Sequence, residues 1–69
     1  MQEIRIKDEF IKLGQAMKLA NLAESGVDAK NVIQDGLVKV NGEVETRRGK
    51  KLHEGDIIFF NSEEVKIVR

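Results

Sequence analysis

The chain has 69 residues, with 12 basic and 12 acidic side chains, one histidine and no cysteine. That length makes one small domain over residues 1–69, with a modest core, and the lack of cysteine excludes disulfide staples and thiolate chemistry. No apolar run approaches a membrane span, and the charged start MQEIRIKDEF does not read as a signal peptide, so a soluble, cytoplasmic protein is expected.

Zero net charge hides an uneven distribution. Residues 1–36 carry five basic and six acidic side chains, residues 37–53 five and two, and residues 54–69 two and four. Positive charge is concentrated in the stretch LVKVNGEVETRRGKK. A local patch of this kind can hold phosphate while the far side of the molecule stays acidic.

Gln2 to Lys7 alternates, with Ile4 and Ile6 on one face, which predicts a half-buried strand. Asp8 is placed to cap the first helix. From Phe10 to Ala23 the residues Phe10, Leu13, Met17 and Ala20 recur at helical steps, widened by Ala16, Leu19 and Leu22. Gly14 weakens the first turn by about 1 kcal/mol relative to Ala, which favours a start near Leu13. Ser25-Gly26 ends this helix. Asp28 is the expected N-cap of a second helix, Ala29 to Gln34, with Val32 and Ile33 inward, Lys30 outward and Gly36 as the stop.

Val38 and Val40 then share one face of a short strand, and Asn41-Gly42 reverses the chain, because both residues readily take the positive φ of a two-residue hairpin turn. A strict turn pairs Lys39 with Val44 and leaves Val44 on the face opposite Val38 and Val40. A bulge near Glu43 would return Val44 to the core face; the two registers stay open, and some irregularity is expected there. Leu52 is a lone apolar anchor, and Glu54-Gly55-Asp56 is a turn. Ile57 to Asn61 is apolar on both faces and reads as the central strand. A turn at Asn61 to Glu63 leads to a last strand, Glu64 to Val68, with Val65 and Ile67 on one face. The fold class is α+β: two short helices packed on one side of a small, mainly antiparallel sheet.

The candidate chemistry lies in Arg47, Arg48, Lys50 and Lys51. Four cations in five residues repel one another unless an anion is near; Arg offers a planar fork for phosphate and Lys a point charge. Lys12, Lys18 and Lys30 are placed to extend the patch. A solvated loop that only aids solubility is the competing reading of the same residues. His53 has no ligand-spaced partner for a metal, the pairs Asp8-Glu9 and Glu63-Glu64 do not form an acid/base dyad, and Ser25 and Ser62 lack a setting for nucleophilic activation. The glycines are scattered as turn residues and make no phosphate-cradling motif. No enzyme, cofactor, metal or small-molecule substrate is expected. Aromatic content is low, and Phe10 with one of Phe59 and Phe60 is assigned to the core. Any nucleic acid would then be held by backbone charge and shape.

The order of the pieces carries a resemblance. Lys12-Leu13, Met17, Ala29-Lys30, Val32-Ile33, Gly36, Val38-Lys39-Val40-Asn41-Gly42, Leu52, Gly55-Asp56 and Ile58 resemble the RNA-binding domain first described in ribosomal small-subunit protein S-four, the alpha-L motif. The likeness spans residues 10–60. IKLGQAMKLANL, ESGVDAK and VKVNGEVETRRGKKL are most similar to small stand-alone bacterial proteins of the YbcJ and YaaA type. The resemblance implies an alpha-L fold and binding of structured RNA, ribosomal or transfer RNA or a ribosomal particle, without catalysis. By position it implies a binding surface made of Lys12, Lys18, Ser25, Lys30, Lys39, Arg47, Arg48, Lys50 and Lys51. Two places depart from the family pattern. Glu24-Ser25-Gly26 stands where many members have an Arg beside the Ser, and Gly14-Gln15 replaces the usual acidic residue after the helix Leu.

Two other readings stay open. A protein-interaction module would use the same basic patch against an acidic face. A sulfur-carrier protein of the ThiS type resembles VNGEV and LHEGDIIFF, but such carriers act through a C-terminal Gly-Gly, whereas this chain ends Lys66-Ile67-Val68-Arg69.

Overall fold

The computed structural model describes residues 1–69. Strand β1 (Gln2–Arg5) is followed by a two-residue strand, β2 (Ile11–Lys12), that runs directly into helix α1 (Leu13–Leu19). Helix α2 (Gly26–Gln34) leads into a hairpin of β3 (Lys39–Val40) and β4 (Glu43–Val44), and then come β5 (Lys51–Leu52), β6 (Ile57–Phe60) and β7 (Glu63–Val68). Five strands form one sheet in the order β1-β7-β6-β3-β4, while β2 and β5 form a separate ribbon. Within the sheet only the β1–β7 pairing is parallel.

Strand β6 is central, with β3 and β7 on its two edges; Ile58 is buried in the core while Phe59 on the other face stays exposed. One face of the sheet presents Ile4, Val38, Val40, Ile58, Val65 and Ile67 to the helices, which contribute Leu13, Ala16, Met17, Ala20, Ala29 and Ile33 to a single apolar cluster. Each fully buried Leu, Ile, Val or Met is worth about 1.5–3 kcal/mol, so this cluster dominates the stability of the chain. The other sheet face, with Lys39, Val44, Phe59 and Glu64, is open to solvent.

Turn chemistry sets the register. Asn41 and Gly42 both have positive φ, 52° and 86°, and hold a strict two-residue hairpin pairing Val40 with Glu43 and Lys39 with Val44. The irregularity expected near Glu43 is absent, the strict register holds, and Val44 stays 55% exposed on the open face. The backbone fits the turn, and one exposed valine costs less than the ladder bonds a bulge would break. Asn41 also clamps the turn to the start of β6: its side chain donates to Asp56 Oδ1 at 3.0 Å and accepts from the Ile57 N–H at 3.0 Å. Gly36, at φ 76°, ends α2 with the Leu37 N–H on the Val32 carbonyl and the Gly36 N–H on that of Ile33, the paired bonds of a Schellman stop.

Four further expectations are corrected. Phe10 lies before the first helix, not in it, and is exposed rather than in the core. Leu19, expected to widen the apolar stripe of α1, is exposed as well. Asp8 caps nothing, because α1 starts after Lys12 with no side-chain cap. Asp28 is not the cap of α2: Ser25 is, accepting from the Asp28 N–H at 3.2 Å, and Asp28 sits in the first turn.

Candidate functional site

A helix start leaves several backbone N–H groups without partners. In α1 two of these are met by the basic loop, not by a side chain. The Leu13 N–H donates to the Lys50 carbonyl at 2.9 Å and the Gly14 N–H to the Arg48 carbonyl at 3.0 Å. The β2–β5 ribbon fastens the same loop from its far end, pairing Ile11 with Leu52 and Lys12 with Lys51. The Arg-Arg-Gly-Lys-Lys segment is therefore pinned to the start of α1 over several residues.

Gly14 makes this contact possible. A Cβ at that position would stand 2.6 Å from Arg48 Cγ and 3.3 Å from Cδ. The Arg48 side chain lies across the bare backbone, which gives the departure at Gly14 a packing reason. Around it, Lys12, Gly14, Gln15, Lys18, Gly26, Arg48 and Gly49 line an open cleft of about 440 Å³. Three cations from β2, α1 and the loop converge there, and no carboxylate lines the cleft. Lys30 lies one helical turn beyond Gly26 on α2 and is exposed, on the same face by helical spacing.

The other expected residues are distributed around this centre. Arg47 points to Glu45: its Nε donates to Oε2 at 2.9 Å, its Nη2 to Oε1 at 3.1 Å, and its backbone N–H to Oε2 at 3.0 Å. Hydrogen bonding by this guanidinium, against a smaller opposing push from burial, lowers the Glu45 carboxyl from 4.5 to about 2, and Arg47 is raised in turn by the same pair. Lys50 is half-buried beside Arg47, and Lys51 is exposed with its ammonium 4.8 Å from the centre of the Phe10 ring. The Ser25 oxygen is engaged as the cap of α2. Lys39 stands on the open sheet face, beside Phe59 and Glu64, and is not brought to the cleft. The cleft residues that sequence reasoning does not select are Gly14, Gln15, Gly26 and Gly49. In the sequence Gly14 is visible as a helix-weakening glycine and as a departure from the family pattern, and its use depends on Arg48, a contact no local pattern reveals.

The family model for the S4 domain matches residues 4–68. The chain belongs to the S4 domain family. Among its S4 relatives, RlbA of Bacillus subtilis (strain 168), named a probable ribosome maturation protein, is 46% identical over 55 residues, covering 80% of this chain and 78% of RlbA. YbcJ of Escherichia coli (strain K12) is 39% identical over 62 residues, covering 90% and 89%. The solution structure of YbcJ, reported to reveal an alpha-L motif involved in RNA binding, superposes over the whole of this chain and 89% of YbcJ with a TM-score of 0.76 at 36% identity. The S4 chain has the same alpha-L fold. The fold also recurs in ribosomal protein S4e of Thermoplasma acidophilum, with a TM-score of 0.63 at 24% identity over 84% of this chain and 31% of that one.

Proposed function

We propose that this S4 domain binds structured RNA, without catalysis, through the cleft between the start of α1, the start of α2 and the basic loop. The observation that carries the reading is the convergence of Lys12, Lys18 and Arg48 on one open space with no carboxylate to neutralise them. Such a site gains most from a polyanion, and phosphate accepts the bidentate geometry that Arg48 offers. Lys30, Lys50 and Lys51 flank the cleft and add charge along the path of a backbone. Arg47 contributes less than Arg48, since Glu45 already holds its guanidinium. Lys39 is peripheral, and Ser25 acts through the cap that sets the start of α2. The name of the relative RlbA and the report on YbcJ support an RNA partner, and ribosomal RNA or a ribosomal particle in the cytoplasm is the target we favour over transfer RNA.

The test is a titration with ribosomal RNA fragments, transfer RNA and duplex DNA at low and physiological salt. Saturable binding that weakens with salt and favours one RNA fold over DNA supports the reading. Equal binding to every polyanion reduces it to a generic phosphate patch. No binding at low salt overturns it and leaves the protein-interaction reading of the patch.

A further inference from the structure

We infer that the outer face of the β2–β5 ribbon is a stacking site for an unpaired nucleotide, with Phe10 as its platform, placed beside the phosphate cleft. The inference rests on the RNA-binding reading and adds a substrate feature to it: a base out of its stack next to a structured backbone.

The ribbon has two faces. Ile11 and Leu52 pair and point into the core, both buried. Side chains alternate along a strand, so Lys12 and Lys51 share the outer face with Phe10 and His53, the residues flanking β2 and β5. Contacts between them fix the arrangement. The Phe10 and His53 ring centres are 6.4 Å apart with their planes tilted by 52°, and Lys51 Nζ stands 4.8 Å from the Phe10 centre. Phe10 is 37% exposed although the sheet and helices offer a large apolar core. A surface phenyl ring beside Lys51 of the basic loop, although itself preceded by Asp8-Glu9 in the chain, has the composition of sites that bind single-stranded bases: an aromatic face for the base and positive charge for its phosphate.

Position supports the same occupant. Phe10, just before β2, and Lys12 are two residues apart, about 7 Å in extended chain, a span comparable to that between a nucleobase and the phosphates of its own or the next nucleotide. Lys12 is also a wall of the cleft. Backbone held at Lys12, Lys18 and Arg48 can therefore continue to Lys51, whose ammonium moves from over the Phe10 ring onto a phosphate as one base turns onto Phe10. Every base has a π-face, so the site reads the presence of an unpaired base, not its identity.

The experiment compares two RNAs with the same number of base pairs: a perfect duplex and the same duplex with one bulged adenosine replaced by 2-aminopurine, whose fluorescence reports stacking. The wild-type protein is expected to bind the bulged RNA roughly tenfold more tightly than the duplex, within the range of measured base–aromatic stacking, and to change the 2-aminopurine signal on binding. Phe10→Leu is expected to abolish both the preference and the signal change while duplex affinity stays within about twofold, because stacking and backbone charge act separately. Wild-type binding to both RNAs with equal affinity and an unchanged signal overturns the stacking site and leaves the cleft reading intact. A bulge preference that survives in Phe10→Leu also overturns it, by removing Phe10 as the platform. Binding to neither RNA overturns the cleft reading and the stacking site together.

Discussion

Gly14→Ala is the most discriminating perturbation of the loop–helix contact. In an open helix, Gly to Ala gains up to about 1 kcal/mol, because glycine loses more backbone entropy on folding. Here the added Cβ would meet Arg48 Cγ at 2.6 Å and Cδ at 3.3 Å, while the next nearest atom, the Arg48 carbonyl, is at an ordinary 3.6 Å. The side chain of Arg48 is thus the whole of the obstacle. To relieve it, Arg48 must leave its place or the loop must lift, which strains the 3.0 Å bond from the Gly14 N–H to the Arg48 carbonyl. An overpacked contact of this kind costs about 1–3 kcal/mol. We expect Gly14→Ala to destabilise the wild-type chain by about 1 kcal/mol after the helix gain is offset. In the Arg48→Ala background both close atoms are gone, and the same substitution should become stabilising by up to about 1 kcal/mol. The assay is a double-mutant cycle by urea or thermal unfolding, in which the change of sign is a coupling energy. Equal effects of Gly14→Ala in both backgrounds would refute the argument that Gly14 exists to seat Arg48.

Three further outcomes rest on local geometry. Ser62 lies at φ 66° beside Asn61 at φ 53° in the two-residue turn between Phe60 and Glu63; Ser62→Gly should relieve a left-handed strain of about 1–2 kcal/mol, less the added freedom of the unfolded chain, raising stability by about 0.5–1 kcal/mol in a denaturant melt. Ser25→Ala removes the bond to the Asp28 N–H and should cost about 1 kcal/mol, read by the same melt, with the start of α2 losing amide protection first. The Glu45 carboxyl is lowered in the fold from 4.5 to about 2 by Arg47, so its stabilising contribution is present above pH 4.5 and is lost as pH falls toward 2; Glu45→Gln should flatten the pH dependence of stability in that window, and an unchanged profile would contradict the pair.

Much of this arrangement is legible where chemistry is local. Asn41-Gly42 specifies its turn because both residues accept positive φ, Gly36 stops α2 for the same reason, and the two-sided apolar run at Ile57 to Phe60 marks β6 as the central strand. The ribbon is not legible, because β2 and β5 have two residues each, too short for any period. Without it, Phe10 is misplaced. The spacing of Phe10, Leu13 and Met17 matches a helix, yet tertiary bonds from the loop to Leu13 and Gly14 fix the helix start at Leu13 and leave Phe10 beside the strand. Ser25 and Asp28 are both good caps, and only the extended backbone of Ser25, at φ −148°, decides between them. Within the basic cluster, composition treats Arg47 and Arg48 alike. The difference between a guanidinium held by Glu45 and one laid over Gly14 arises from the register of the hairpin, which brings Glu45 onto the core-facing side two residues before Arg47.

The measurement that bears most directly on the cleft is the salt dependence of RNA affinity for the wild type, Arg48→Ala and Lys39→Ala. Each phosphate contact contributes about 0.7–0.9 to the slope of log affinity against log salt. Arg48→Ala should weaken binding and lower the slope by about that amount, while Lys39→Ala, on the open sheet face, should leave the slope unchanged. A slope that falls for Lys39→Ala and holds for Arg48→Ala would contradict the account by moving the RNA to the other face of the sheet.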